Sequence, residues 1–172
     1  MVTQRRPHLL VLVGIPGSGK TTYAHRLMAR CPSITFISPD AIREELYPGY
    51  ELGQVEHRHI DHHRVFRMAY HAVAEVLHAR WDVLFDATSL TVTRRRKLVL
   101  LAHREQAATS ARYFPIDLAE AFRRNSLRPR QVPPGIIAYM AKVLQPPTRD
   151  EGFDRVVTHH SPLRCRRNAQ SP

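Results

Sequence analysis

LLVLVGIPGSGKTTYAHRLMARC, from Leu9 to Cys31, decides the fold. Leu9 to Val13 is a short apolar run, as expected of a buried parallel strand. Gly14 to Thr22 then matches the pattern G-x-x-x-x-G-K-[ST], with Gly14, Gly19, Lys20 and Thr21 at the fixed positions. The residues after Gly19 continue as a helix. Glycines let successive amide N–H groups turn inward around an anion, and the helix adds its free N-terminal amides and dipole. Pro16 stiffens the turn. Lys20 is placed to reach β- and γ-phosphates, and the Thr21 hydroxyl to ligate Mg²⁺.

Strand, loop and helix in this order predict an α/β domain with a mostly parallel central sheet flanked by helices. In such sheets, sites open beyond the carboxyl ends of the strands. A second strand is read at Ser33–Ser38, followed by a helix capped by Ser38 with Pro39 in its first turn. Asp40 then stands at the helix start and Arg43 shares its face. Asp40 can accept the proton of an attacking hydroxyl, and Arg43 can bind an acceptor phosphate. A third strand, within WDVLFDATSL, ends at Asp86. That carboxylate can hold Mg²⁺ through water, orient Arg43 or face the acceptor, and Thr88 can hydrogen-bond in the same crevice.

A long helix is expected over Val55–Arg80, with Val65, Met68, Ala69, Ala72, Val76 and Ala79 as its core stripe. His57, His59, His62 and His63 precede the stripe without a closed set of zinc ligands, and read as a solvated or substrate-facing helix end. Thr93 is read as the cap of the next helix, whose first turns carry Arg94, Arg95, Arg96 and Lys97. Cations there oppose the helix dipole and call for a phosphate backbone or solvation. A fourth strand is read at Ala111–Ile116, with Asp117 starting a turn. Arg123, Arg124, Arg128 and Arg130 follow, with Asn125 and Ser126 breaking the helix, and Pro129 and Pro133–Pro134 bounding a loop. A further helix over Gly135–Leu144 completes an arginine-bearing lid. Gly152 and Phe153 turn into a last strand, RVVTH, with Phe153 packing under it or near an adenine.

The chain has 172 residues, enough for one domain, with 26 Lys and Arg against 15 Asp and Glu for a formal charge of +11. Such a field suits an acidic partner. The two cysteines form no dense disulfide framework and no zinc spacing, which leads us to expect a cytoplasmic protein. No run approaches the roughly 18 apolar residues of a membrane-spanning helix, so no membrane partner is expected. Residues 1–160 are read as the phosphate-loop domain and 161–172 as a basic, frayed tail.

GIPGSGKTT, SPDAIREEL, FDATSLTVTRRRKL and RRNSLRPRQVPPGIIAYM occur in an order that resembles the kinase domain of phage T4-type polynucleotide 5′-hydroxyl kinases. That domain lies within the small phosphate-loop kinases, the AAA_33 and zeta-toxin-like group. The resemblance implies ATP and Mg²⁺ as cofactors and 5′-OH DNA or RNA as substrate. It implies Lys20, Asp40 and Arg128 as catalytic residues, with Asp40 the general base. Gly14, Pro16, Gly17, Ser18, Gly19, Lys20, Thr21, Thr22 and Arg124 would bind the nucleotide, and Thr21 the metal. Arg43, Asp86 and Thr88 would face the acceptor. Similar cores phosphorylate sugars, nucleosides or other small hydroxyl compounds, and a regulatory ATPase is a further possibility. No aspartate-rich phosphatase segment accompanies the motifs.

Overall fold

The computed structural model describes residues 5–49 and 61–159. Its five strands are β1 (His8–Val13), β2 (Ile34–Ile37), β3 (Asp82–Asp86), β4 (Ala108–Tyr113) and β5 (Arg155–Thr158). They form one sheet in the order β2-β3-β1-β4-β5, and every neighbouring pair is parallel. Strand β1 lies in the middle, with Leu12 opposite Asp86 of β3 and Arg112 of β4. The all-parallel sheet with helices around it is the α/β phosphate-loop kinase fold expected from the motifs.

Alternation along β1 divides the core. Leu9, Val11 and Val13 join α3 (His62–His78) and α4 (Val92–Arg104) on one face. Leu10 and Leu12 pack on the other face against Tyr23, Ala24 and Leu27 of α1 (Lys20–Arg30). Both faces of a parallel sheet are thereby covered, which is why its strands read as near-continuous apolar runs. A third cluster joins Ile15 of the phosphate loop and Leu90 to Ala121 of α5 (Leu118–Ser126) and Ile137 of α6 (Pro134–Val143). Helices α5 and α6 thus dock on the loop itself.

Local capping sets most helix starts. Ser38 accepts from Ala41 N (3.4 Å) at the head of α2 (Pro39–Leu46), and Asp117 accepts from Glu120 N (2.9 Å) at the head of α5. Asp117 therefore caps a helix and does not start a turn. Thr91, not Thr93, caps α4 by accepting from Arg94 N (3.5 Å). Thr91 is extended, as an N-cap must be, whereas Thr93 already lies inside the helix.

Several boundaries differ from the sequence reading. Strand β4 runs over Ala108–Tyr113 instead of Ala111–Ile116, because its pairing begins at His8 opposite Ala108. Helix α3 ends at His78: Ala79 is its cap and Arg80 has a positive φ of 66°. Its buried stripe is Val65, Ala69, Val73 and Leu77, while Met68 is exposed. That stripe steps by four residues, so Met68 and Ala79 fall off its face. The helix starts at His62 and not at Val55, because Asp61 caps it by accepting from Arg64 N (2.9 Å); His57 and His59 lie outside the described residues, as does the tail 161–172. Among the described residues no helix is long and apolar enough to cross a membrane, and no group of three metal-ligating side chains occurs. Phe153 belongs to the core beside Val99 and Ala111, which removes it from any adenine contact.

Candidate phosphoryl-transfer site

At the carboxyl edge of the sheet, β1 ends in the phosphate loop, β2 in Ser38 and the head of α2, and β3 in Asp86. The loop backbone requires glycine at two points. Gly17 has φ 84°, and a Cβ there would lie 2.9 Å from Ala121 O of α5. Gly19 has φ 93° and caps α1 from the left-handed region. Gly14 N donates to Thr88 O (3.1 Å), so the contribution of Thr88 seen here is its carbonyl, which ties the loop to the segment after β3.

Lys20 is buried and donates to Ile15 O (3.0 Å) and Ser18 Oγ (3.3 Å). Burial pushes its ammonium down to about 8, against the pull of the Asp86 and Asp40 carboxylates, and the Arg128 guanidinium lowers it further. Asp86 is also buried and accepts from Thr21 Oγ1 (2.9 Å). Burial raises its pKa, while Lys20 and the Thr21 hydrogen bond oppose the rise and Asp40 adds to it. Lys20, Asp86, Asp40 and Arg128 therefore share one field, although they come from four segments of the chain.

Asp40 and Arg43 form an ion pair across one turn of α2. The Arg43 side chain is 10% exposed and the Asp40 side chain 85%. Arg43 thus anchors a carboxylate that stays open to solvent beside the loop. Across the loop, Arg124 donates to Gly17 O (3.4 Å) and to Glu120 Oε1 (2.6 Å). Arg123 makes a bidentate pair with the same Glu120, which holds that carboxyl down at about 2. Arg130 reaches from the lid loop to Glu44 Oε2 of α2 (2.8 Å), so the lid touches the helix that carries Asp40.

Two expectations about this region are corrected. Asn125 and Ser126 do not break α5, since both lie within it. Asn125 is buried and clamps the lid loop, donating to Val132 O (2.9 Å) and accepting from Val132 N (3.0 Å). The run Arg94 to Lys97 is not a uniform cationic face either. Arg95 is fully buried, with Nε and Nη2 each 2.6 Å from Glu151 and Nη1 bonded to Ser89 O (2.9 Å) and Leu90 O (3.1 Å). Glu151 ends a short 3₁₀ turn (Arg149–Glu151) and also accepts from Thr148 N (3.0 Å). Arg95 shares the buried stripe of Leu98, Val99 and Ala102, a helical spacing that is legible in the sequence and that the charge run hides.

The donor set fits a phosphate and a divalent cation. The left-handed glycines of the loop, the buried lysine and a hydroxyl beside a carboxylate offer anion donors and hard oxygen ligands together. The AAA domain family AAA_33 matches residues 9–147, and the chain belongs to that family. No curated protein matches the chain significantly. Among solved structures it resembles a chain of the Pnkp1/Rnl/Hen1 RNA repair complex, with 26% identity and a TM-score of 0.69 over 89% of this chain and 48% of that one. A second structure of the Pnkp1/Rnl/Hen1 complex matches with 27% identity and a TM-score of 0.61 over 76% of this chain and 42% of that one. The chain therefore spans less than half the length of these relatives. A gluconokinase from Sinorhizobium meliloti 1021 shares the fold, at 21% identity and a TM-score of 0.58 over 90% of this chain and 82% of that one. Fold and family together mark a kinase-like, phosphate-loop enzyme.

Proposed function

We propose that this chain transfers the γ-phosphoryl group of ATP to the 5′-hydroxyl of a polynucleotide, with Asp40 as general base. The observation that carries the reading is the convergence of Asp40 on the phosphate loop: its carboxylate is solvent-open, held by Arg43, and felt by both Lys20 and Asp86. Asp40 takes the hydroxyl proton while the acceptor oxygen bonds to phosphorus and the bond to the leaving diphosphate breaks. Lys20 and Arg128 offset charge on the transferring group, and Arg124 holds the loop from the lid side. Thr21 and, through water, Asp86, which share a hydrogen bond, would hold Mg²⁺. When bound, the ion neutralises phosphate charge. Arg43 receives the phosphate next to the reacting nucleoside. The likeness to chains of an RNA repair complex supports a nucleic-acid acceptor.

A second reading is a small-molecule kinase. Asp40 and Arg43 demand only one hydroxyl beside one anionic group, which a phosphorylated or carboxylated sugar also supplies. The test is to incubate the protein with γ-labelled ATP and a panel of 5′-OH DNA, 5′-OH RNA, nucleosides, nucleoside 3′-monophosphates and sugar acids. Labelled oligonucleotide is the expected product, and Asp40→Asn lowers its formation by about 10²–10⁴-fold with little change in ATP affinity. Label only on a sugar acid selects the second reading. Free phosphate alone makes the protein an ATPase.

A further inference from the structure

Three helices on one side of the sheet begin at the carboxyl edge: α2, α3 and α4. His62 and Arg94 lie in the first turns of α3 and α4, and Arg43 one turn into α2, paired with Asp40 of its first turn. Arg94 is exposed, and its guanidinium carbon lies 5.1 Å from the centre of the Phe66 ring of α3. Among the described residues that ring, and no carboxylate, is its partner. Phe66 is backed in turn by Tyr70 (6.0 Å), and Tyr70 stacks on Phe85 of β3 (6.3 Å). The guanidinium plane is thus supported from the core while remaining open to solvent. His62 lies within the fields of both Arg43 and Arg94. Partial burial and those two cations lower its pKa, against the pull of Asp61 and with a small push from His63.

The Arg43 and Arg94 guanidiniums act on His62 from the two neighbouring helices, and with Asp40 paired to Arg43, the charge left over suits a phosphate. A guanidinium plane held over an aromatic ring is also a surface on which nucleobases stack. We propose that His62, Phe66 and Arg94 extend the acceptor site beyond Arg43, taking the next unit of a single-stranded nucleic acid. Its phosphate lies between Arg43 and His62, and its base stacks on the Arg94–Phe66 pair. The proposal rests on the polynucleotide reading of the Asp40 site and gives that site a direction, from α2 across α3 towards α4.

The test uses the full chain and its Arg94→Ala and Phe66→Leu variants. Specificity constants are measured for a nucleoside 3′-monophosphate and for a 5′-OH hexanucleotide, alongside binding of a fluorescent hexanucleotide by anisotropy. Arg94→Ala is expected to lower hexanucleotide kcat/KM and binding by about tenfold. The monophosphate and the ATP KM should stay within about twofold, since neither reaches Arg94. Phe66→Leu, which keeps apolar volume, should weaken hexanucleotide binding in the same direction. Equal losses for both acceptors, or none for the hexanucleotide, overturn the subsite. Displacement of the hexanucleotide by polyglutamate at equal charge concentration also overturns it, since a general cationic patch explains that result. If the parent binds the hexanucleotide through Arg94 but phosphorylates nothing, the subsite stands and the proposed reaction falls. If the parent does not bind it at all, both fall.

Discussion

Arg95 and Arg123 are both members of arginine runs at helix ends, yet the fold treats them in opposite ways. Arg95, in the first turn of α4, is fully buried, and all its hydrogen bonds go to Glu151, Ser89 O and Leu90 O. Arg123, near the end of α5, has a side chain 63% exposed and leans on Glu120 one turn away. The first pair joins residues 56 apart in the chain, the second residues three apart. A buried guanidinium without its carboxylate is costly, whereas an exposed one rehydrates. Charge in a sequence therefore announces neither surface nor site. The partner and the depth decide which it is.

The largest expected effect is at the buried member. Arg95→Ala leaves Glu151 charged and unpaired in the core and should cost about 3–5 kcal/mol of stability in denaturant unfolding. Arg95→Met combined with Glu151→Met should recover most of that loss. If Arg95→Ala unfolds at the parental midpoint, the contrast with Arg123 is lost.

Lys20 sharpens the comparison, because it is buried with carbonyl and hydroxyl partners while its carboxylates act from further away. Its pKa in the folded chain is below that of the unfolded chain, about 8 against 10.5. Between those values the unfolded state binds the extra proton, so stability from this group rises with pH and is lowest below pH 8. The penalty near neutrality is about 3 kcal/mol. Lys20→Met should therefore lose phosphoryl transfer by at least about 10²-fold. Its Tm at pH 7 should nevertheless rise, by about 2–4 °C for each kcal/mol recovered. The gain should vanish near pH 10, and a Tm below the parental value at pH 7 would show that the Lys20 hydrogen bonds outweigh its desolvation.

Arg128→Ala tests an exposed arginine whose field reaches Lys20. Turnover should fall by at least about tenfold with Tm unchanged, the reverse of the Arg95 pattern. Thermal melts and initial rates on the same preparation separate the two. The smallest effect belongs to Arg123→Ala, for which neither Tm nor turnover should move measurably, because Arg124 remains on Glu120 and on Gly17 O. A loss of turnover there would move the lid contact from Arg124 to Arg123.

Features governed by a few neighbouring residues were legible in the sequence. The phosphate loop, the Ser38 cap, the Asp40–Arg43 spacing and the strand-end position of Asp86 follow from backbone geometry over one to four residues. The continuous apolar run of β1 pointed to a parallel strand covered on both faces. The tertiary structure alone decided what depends on chain path and depth. Thr21 meets Asp86 across 65 residues, Arg130 meets Glu44 across 86, and Arg95 finds Glu151 beneath a charge run that reads as surface. These pairings follow from strand order and helix docking, which no local spacing encodes, and burial then shifts the pKa of Lys20 down and that of Asp86 up.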